Sequence, residues 1–130
     1  MEKTRVGVIG VGHLGAIHAK VYSKLKNVRL VGVVDCNLEK ALDIGKKYHA
    51  PSHADYEDLF GRIDAASIAV PTSLHYNVAK NLLNHGIHVL IEKPITKTLS
   101  EADELIGIAQ DKKLILQVGH IERFNSVILA

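Results

Sequence analysis

The sequence has 130 residues, of which 47% are hydrophobic and 23% charged, a balance that excludes a disordered chain and allows one globular domain with a buried core. The net charge of +2 and an aromatic content of only 5% give no reason to expect a nucleic-acid partner. A single cysteine, Cys36, excludes internal disulfides, and no apolar run approaches the ~18 residues of a membrane span, so a soluble, cytoplasmic protein is expected.

Short apolar runs alternate with helix-like segments along the chain. Strands are predicted over residues 6–9, 30–34, 65–70, 87–91 and 114–118. Helices are predicted over 13–25, from the N-cap Asn37 to 48, over 73–85, from Ser100 to 111, and over 122–130, with a short helix or turn at 55–60. In the first helix, Leu14, Ile17, Val21 and Leu25 have the spacing of one buried face.

The predicted strands are apolar throughout instead of alternating with polar residues. This pattern is typical of parallel strands that are covered on both faces. The alternation of strands and helices predicts an α/β fold, a doubly wound parallel sheet with right-handed crossovers. The chain stops within the hydrophobic stretch 126–130 without a C-cap signal, which suggests a fragment of a longer protein.

The most informative motif follows the first strand and opens the first helix: Gly10-Val11-Gly12-His13-Leu14-Gly15. In such a turn Gly10 permits the tight bend, Gly12 lets the backbone approach a pyrophosphate, and Gly15 lets the helix pack close to the strand. The amides of the first helical turn, His13 and Leu14 among them, would then face the phosphates. This spacing predicts a Rossmann dinucleotide-binding fold; the alternative is a glycine-rich turn without a ligand.

Asp35 comes twenty residues after Gly15, at the end of the second predicted strand. A carboxylate at this position accepts hydrogen bonds from the adenosine ribose and repels a 2′-phosphate. Because no arginine is adjacent, NAD is favoured over NADP as the cofactor. The alternative role, capping of the following helix, is compatible with ribose binding.

These motifs, together with Val70-Pro71-Thr72-Ser73-Leu74-His75 and above all Glu92-Lys93-Pro94, resemble the N-terminal domain of the glucose–fructose oxidoreductase, inositol dehydrogenase and MocA oxidoreductase family. The resemblance covers essentially the whole chain. It implies NAD(P)-dependent oxidation of sugars or cyclitols and a C-terminal substrate domain that this sequence lacks. Residues 1–120 would form the cofactor domain and 121–130 the start of the crossover, with a homo-oligomer expected for the full-length protein.

Lys93 is the candidate catalytic residue. It follows the strand predicted over 87–91, at the ligand-bearing edge of the predicted sheet, and Pro94 restricts its backbone. A lysine there can hydrogen-bond an alcohol oxygen and stabilise its developing negative charge. The resemblance implies this catalytic or substrate-orienting role and places Glu92 beside the nicotinamide ribose. The alternative is an exposed lysine next to a loop proline.

By the same resemblance, Pro71, Thr72 and His75 line the cofactor, although Thr72 or Ser73 could simply cap the next helix. The run 119–125 resembles the nucleotide-sugar branch, such as UDP-N-acetylglucosamine 3-dehydrogenases, except that Ser126 replaces a proline common there. His120 and Arg123 in this run are candidates for sugar or diphosphate contacts; a crossover segment without a ligand role is the alternative.

The sequence therefore favours the cofactor-binding part of an NAD-dependent dehydrogenase that oxidises a ring hydroxyl of a sugar or nucleotide sugar. A free-standing NAD(H)-binding sensor without turnover is the alternative, which Lys93 disfavours because a sensor needs no substrate-side residue. No metal site is expected, because the eight histidines lack the carboxylate or cysteine cluster that would complete one.

Overall fold

A computed structural model describes residues 3–119. Its strands form one parallel sheet in the order β3-β2-β1-β4-β5-β6. The strands are β1 (Thr4–Ile9), β2 (Val28–Val34), β3 (Ser52–His53), β4 (Ala65–Ile68), β5 (His88–Ile91) and β6 (Leu116–Val118). The helices are α1 (His13–Lys24), α2 (Leu38–Tyr48), α3 (Thr72–Asn84) and α4 (Leu99–Lys112), with a 3₁₀ helix at Tyr56–Leu59. The predicted doubly wound α/β fold is confirmed.

Each face of the sheet has its own hydrophobic core. Side chains of α1 and α2, among them Ala19, Tyr22 and Ala41, pack with one set of strand residues. Side chains of α3 and α4, such as Leu82 and Leu105, pack with the other set. Strands covered on both faces must be apolar throughout, which explains the uninterrupted runs in the sequence.

The strand order reverses at β1. The chain leaves β1 towards β2 and β3, and after β3 it returns to β4 on the other side of β1. The loops after β1 and β4 therefore diverge at their carboxyl ends and leave a crevice between them. In open α/β sheets this switch point is where ligands bind.

Several predicted boundaries move by a few residues. The strand predicted over 65–70 ends at Ile68, and the one predicted over 114–118 begins at Leu116. Asn37 is confirmed as the N-cap of α2, because its Oδ1 accepts a hydrogen bond from the Glu39 N–H at 3.1 Å. The cap of α4 is Thr98 instead of Ser100, with Thr98 Oγ1 accepting from the Glu101 N–H at 3.2 Å.

The predicted buried face of α1 is wrong. The buried residues are Gly15, His18, Ala19 and Tyr22, whereas Leu14 is 50% and Ile17 40% exposed. The cause lies at Gly15, where an added Cβ would come within 1.7 Å of the Gly10 carbonyl oxygen. Because α1 lies this close to the backbone of Gly10, the helix face centred on Gly15 is turned towards the sheet and is buried. Leu14 and Ile17 lie outside that face.

Candidate cofactor site

A cleft of about 830 Å³ lies at the switch point, beside the carboxyl ends of β1, β2 and β4. The turn after β1 contributes Gly10, Gly12, His13 and Leu14; the segment after β2 contributes Asp35, Cys36 and Lys40; Ala54, Asp55 and Tyr56 follow β3; and Ala69, Val70, Pro71, Leu74 and Asn77 follow β4. The lining is mostly apolar with few polar groups, which is typical of a cofactor site.

Two glycines of the turn are required by the protein itself. Gly10 has a φ of +92°, and a Cβ there would meet the Ala69 carbonyl at 2.8 Å. Gly15 allows α1 to lie against the backbone of Gly10. Both residues fix the path of the chain from β1 into α1, as their positions in the motif predict.

Gly12 differs from these two glycines. It is the N-cap of α1 with a φ of −67°, which any residue can adopt, and no atom lies within 4 Å of the position of its missing Cβ. Nothing in the described chain therefore requires a glycine here. The space it leaves open lies in the cleft, at the amino end of α1, where a pyrophosphate would contact backbone N–H groups.

Asp35 is held in a defined orientation at the end of β2. Its Oδ2 accepts from the Val11 N–H at 3.0 Å, and its Oδ1 accepts from the Asn37 N–H at 2.9 Å. The carboxylate thus ties the glycine turn to the start of α2 while Asn37, and not Asp35, caps that helix. Oδ1 also accepts from the Cys36 thiol, with Sγ at 3.8 Å, whereas Oδ2 keeps a further acceptor site that can bind a ribose hydroxyl.

The loop after β4 contributes Pro71, which lines the cleft and is the N-cap of α3. Thr72 is the first helical residue, and no described side chain caps the helix, so the capping role considered for Thr72 or Ser73 is wrong. The amino end of α3 therefore keeps unsatisfied backbone N–H groups at the sheet edge that bears the cleft.

His75 does not line the cleft. Its ring is 3% exposed, with Nε2 at 2.8 Å from the Val70 carbonyl oxygen and Nδ1 at 3.0 Å from that of Pro94. These contacts join the loop after β4 to the loop after β5. The predicted cofactor contact of His75 stays a prediction.

The Glu92-Lys93-Pro94 segment directly follows β5, at the same edge of the sheet as the cleft, with a cis Lys93–Pro94 peptide bond. Lys93 is exposed, whereas the Glu92 carboxylate accepts a hydrogen bond from His18 Nε2 at 2.7 Å. Glu92 and Lys93 do not line the cleft itself, so their predicted contacts with cofactor and substrate stay predictions.

His18 is the residue that the sequence analysis missed. It is 1% exposed and lies one turn after Gly15 on the buried face of α1. Burial lowers the pKa of His18, against the opposing effect of the Glu92 carboxylate, so the neutral ring donates through Nε2. Its position three residues after the last glycine of the motif was the available signal, because that spacing puts it on the sheet side of α1.

The remaining predictions concern residues that the structure does not describe. His120 and Arg123, the candidate substrate contacts, lie outside residues 3–119, as does the helix predicted over 122–130. Among the described residues, no cluster of histidine, cysteine, aspartate or glutamate could hold a metal ion. No helix in the same range is long and apolar enough to cross a membrane.

Three features of the site fit a dinucleotide: the open position at Gly12, the oriented carboxylate of Asp35 and the cleft between them at the switch point. The fold and the site therefore define a dinucleotide-binding α/β domain. Comparison with known families is more specific. Residues 4–120 match the GFO/IDH/MocA model, described as "Oxidoreductase family, NAD-binding Rossmann fold". The chain belongs to this family, in which NAD is the cofactor.

Among curated proteins, the chain is 44% identical over 128 residues to the UDP-N-acetylglucosamine 3-dehydrogenase of Acidithiobacillus ferrooxidans, covering 98% of this chain and 40% of that protein. It is 30% identical over 124 residues to the glucose-6-phosphate 3-dehydrogenase of Bacillus subtilis, covering 95% and 35%. The chain thus spans two fifths or less of these two relatives.

Solved structures agree with the described fold. A structure of the Acidithiobacillus ferrooxidans enzyme, GnnA, has a TM-score of 0.88 and covers 95% of this chain and 40% of its own. GenD2 from gentamicin A biosynthesis, solved in complex with NAD, has a TM-score of 0.89 at 26% identity and covers 92% of this chain and 35% of its own.

Proposed function

We propose that this chain is the cofactor domain of an NAD-dependent dehydrogenase that oxidises a ring hydroxyl of a sugar, more specifically of a nucleotide sugar. The observation that carries the proposal is the exposed Lys93, which follows β5 at the same sheet edge as the dinucleotide cleft. The nucleotide-sugar preference is supported by the 44% identity to a UDP-N-acetylglucosamine 3-dehydrogenase.

The cofactor contacts divide by element. Gly12 with the amides of His13 and Leu14 at the start of α1 would hold the pyrophosphate, in a turn shaped by Gly10 and Gly15. Asp35 would accept from the adenosine ribose, and its negative charge would repel a 2′-phosphate. Pro71 and Thr72, at the amino end of α3, would contact the nicotinamide half.

The nicotinamide ring, when bound, accepts a hydride from the substrate carbon. The residues of this chain prepare that step. The Lys93 ammonium group donates a hydrogen bond to the reacting oxygen and stabilises the negative charge that develops there. Because the substrate alcohol also loses a proton, the reaction needs a base, which we expect from a second domain.

The same proposal concerns the layout of the complete protein. Residues 1–120 would form the cofactor domain, and 121–130 would begin the crossover to a substrate domain. His120 and Arg123, on the two sides of this boundary, would contact the sugar or its diphosphate. The relatives support this layout, because they are more than twice as long as this chain. A homo-oligomer is expected for the complete protein.

The test of Lys93 separates binding from chemistry. In the complete protein, Lys93→Met should abolish oxidation of UDP-sugars and leave the dissociation constant for NADH within twofold, because methionine keeps the length of the side chain but donates no hydrogen bond. Lys97→Met, a substitution of the next exposed lysine along the loop, is the matched control. Full activity of Lys93→Met would refute the assignment, and turnover of cyclitols but not UDP-sugars would refute the substrate class.

A further inference from the structure

Two buried histidines contact the segment 92–95 on both sides of Lys93. On the amino side, His18 of α1 donates from Nε2 to Glu92 Oε1 at 2.7 Å. His18 is 1% exposed, and the Glu92 side chain is largely buried with it. The contact crosses the sheet edge from the first helix to the end of β5, between residues that are 74 positions apart in the sequence.

On the carboxyl side, His75 of α3 faces backbone carbonyls of two loops. Its Nδ1 lies 3.0 Å from the Pro94 oxygen and 3.2 Å from the Ile95 oxygen, and its Nε2 lies 2.8 Å from the Val70 oxygen. His75 is buried, so a ring nitrogen that carries a proton donates to one of these carbonyl oxygens in place of water. The backbone directly after Lys93 is thereby joined to the loop that borders the cofactor cleft.

A buried polar side chain needs a hydrogen-bond partner, but this need does not determine which partner it takes. Tyr22, one turn after His18 on α1, meets the same requirement through Ser67 Oγ of β4, at 2.5 Å. The two histidines instead contact a segment whose central side chain, Lys93, is exposed. Contacts with the residues before and after an exposed lysine restrict the direction in which its side chain points.

We propose that His18 and His75 are positioning residues for Lys93, which hold the Glu92 side chain before it and the backbone after it so that its ammonium group faces the nicotinamide end of the site. The inference rests on the function proposed for Lys93. It adds two buried residues that act through the segment between them.

Matched substitutions separate positioning from stability. His18→Gln keeps an N–H donor at the place of Nε2, whereas His18→Leu removes it. His75→Asn keeps a donor at the place of Nδ1, whereas His75→Leu removes both ring nitrogens. Tyr22→Phe is the control, because it breaks the buried hydrogen bond between α1 and Ser67 and leaves both histidines in place.

The measurement is the NMR signal of Lys93 in the whole chain after ¹³C reductive methylation of its lysines, assigned with Lys93→Arg. We expect saturating NAD to shift this signal in the wild type, Tyr22→Phe, His18→Gln and His75→Asn. In His18→Leu and His75→Leu the shift should fall by at least half, and in His18→Leu the dissociation constant for NADH should change less than threefold. If His18→Leu does not fold, His18→Met removes the same donor with a side chain that adapts more easily to the cavity.

Each other outcome contradicts the inference in a distinct way. A full Lys93 shift in the leucine variants would show that the histidines do not position it. An equal loss in Tyr22→Phe would show a general effect of lost stability. If NADH binds the wild type but the Lys93 signal does not respond, the role proposed for Lys93 itself is refuted, and with it the positioning.

Discussion

Replacing Gly12 by valine should abolish NAD binding and leave the fold in place. A Cβ at this position meets no atom of the protein within 4 Å, and the φ of −67° suits any residue. The structural cost is limited to the N-cap, where valine is worse than glycine by about 1 kcal/mol. The free energy of unfolding should therefore fall only slightly.

The loss of binding should be much larger than this cost. The valine side chain would occupy the space through which a pyrophosphate reaches the amides of α1. If two charge-assisted hydrogen bonds of about 1.5–3 kcal/mol each are lost, the binding free energy falls by about 3–6 kcal/mol. That corresponds to a roughly 10²- to 10⁴-fold higher dissociation constant.

Calorimetric titration with NAD and thermal unfolding followed by circular dichroism measure the two effects separately. Gly107→Ala is the control, since its Cβ also meets no atom within 4 Å but lies on α4. It should raise stability by about 0.5–1 kcal/mol and leave NAD binding unchanged. Unchanged NAD affinity in Gly12→Val, with an unchanged dichroism spectrum, would refute the assignment of the turn as the phosphate site.

Further substitutions test the other parts of the account. Asp35→Ala should weaken NAD binding by about 1.5–3 kcal/mol and leave NADP binding nearly unchanged, and equal losses in calorimetry would contradict the ribose role. Burial holds the pKa of His18 below its usual value near 6.5, so the unfolded chain binds more protons below that pH and stability falls as the pH drops; His18→Gln should flatten this decline in urea titrations. The Arg5 guanidinium lowers the pKa of the Asp64 carboxyl. The ion pair therefore stabilises the fold above about pH 4, and this stabilisation is lost in acid when the carboxyl is protonated. Asp64→Asn should therefore cost about 0.5 kcal/mol at pH 7 and nothing at pH 2, because solvent screens the exposed pair. Incubated alone with NAD and UDP-sugars or cyclitols, this chain should form no detectable NADH, because the surface proposed to hold substrate at hydride distance belongs to a second domain.

The layered α/β fold could be predicted from the sequence because the patterns that indicate its strands and helix caps lie within short segments of the chain. Uninterrupted apolar runs predict covered parallel strands, and Asn37 has the side chain that caps α2. The third strand, Ser52–His53, has no such signal, since it is two residues long and only half-buried. Its place in the sheet comes from its pairing with β2, which no local pattern encodes.

The site shows the same division between local and tertiary information. The glycine turn and Asp35 could be predicted because each position has a fixed role relative to the strands. The buried face of α1 could not, because periodicity weighs Leu14 and Ile17 above Gly15 and His18. The partners of His18 and His75 belong to a loop 74 and about 20 residues away, so only the folded chain brings them together.

The most direct test of the central claim is calorimetric titration of this chain with NAD and with NADP in the same buffer. The cleft beside Gly12 and the oriented carboxylate of Asp35 predict one site per chain that binds NAD and binds NADP at least tenfold more weakly. Binding of neither dinucleotide at millimolar concentration by a folded chain would contradict the account.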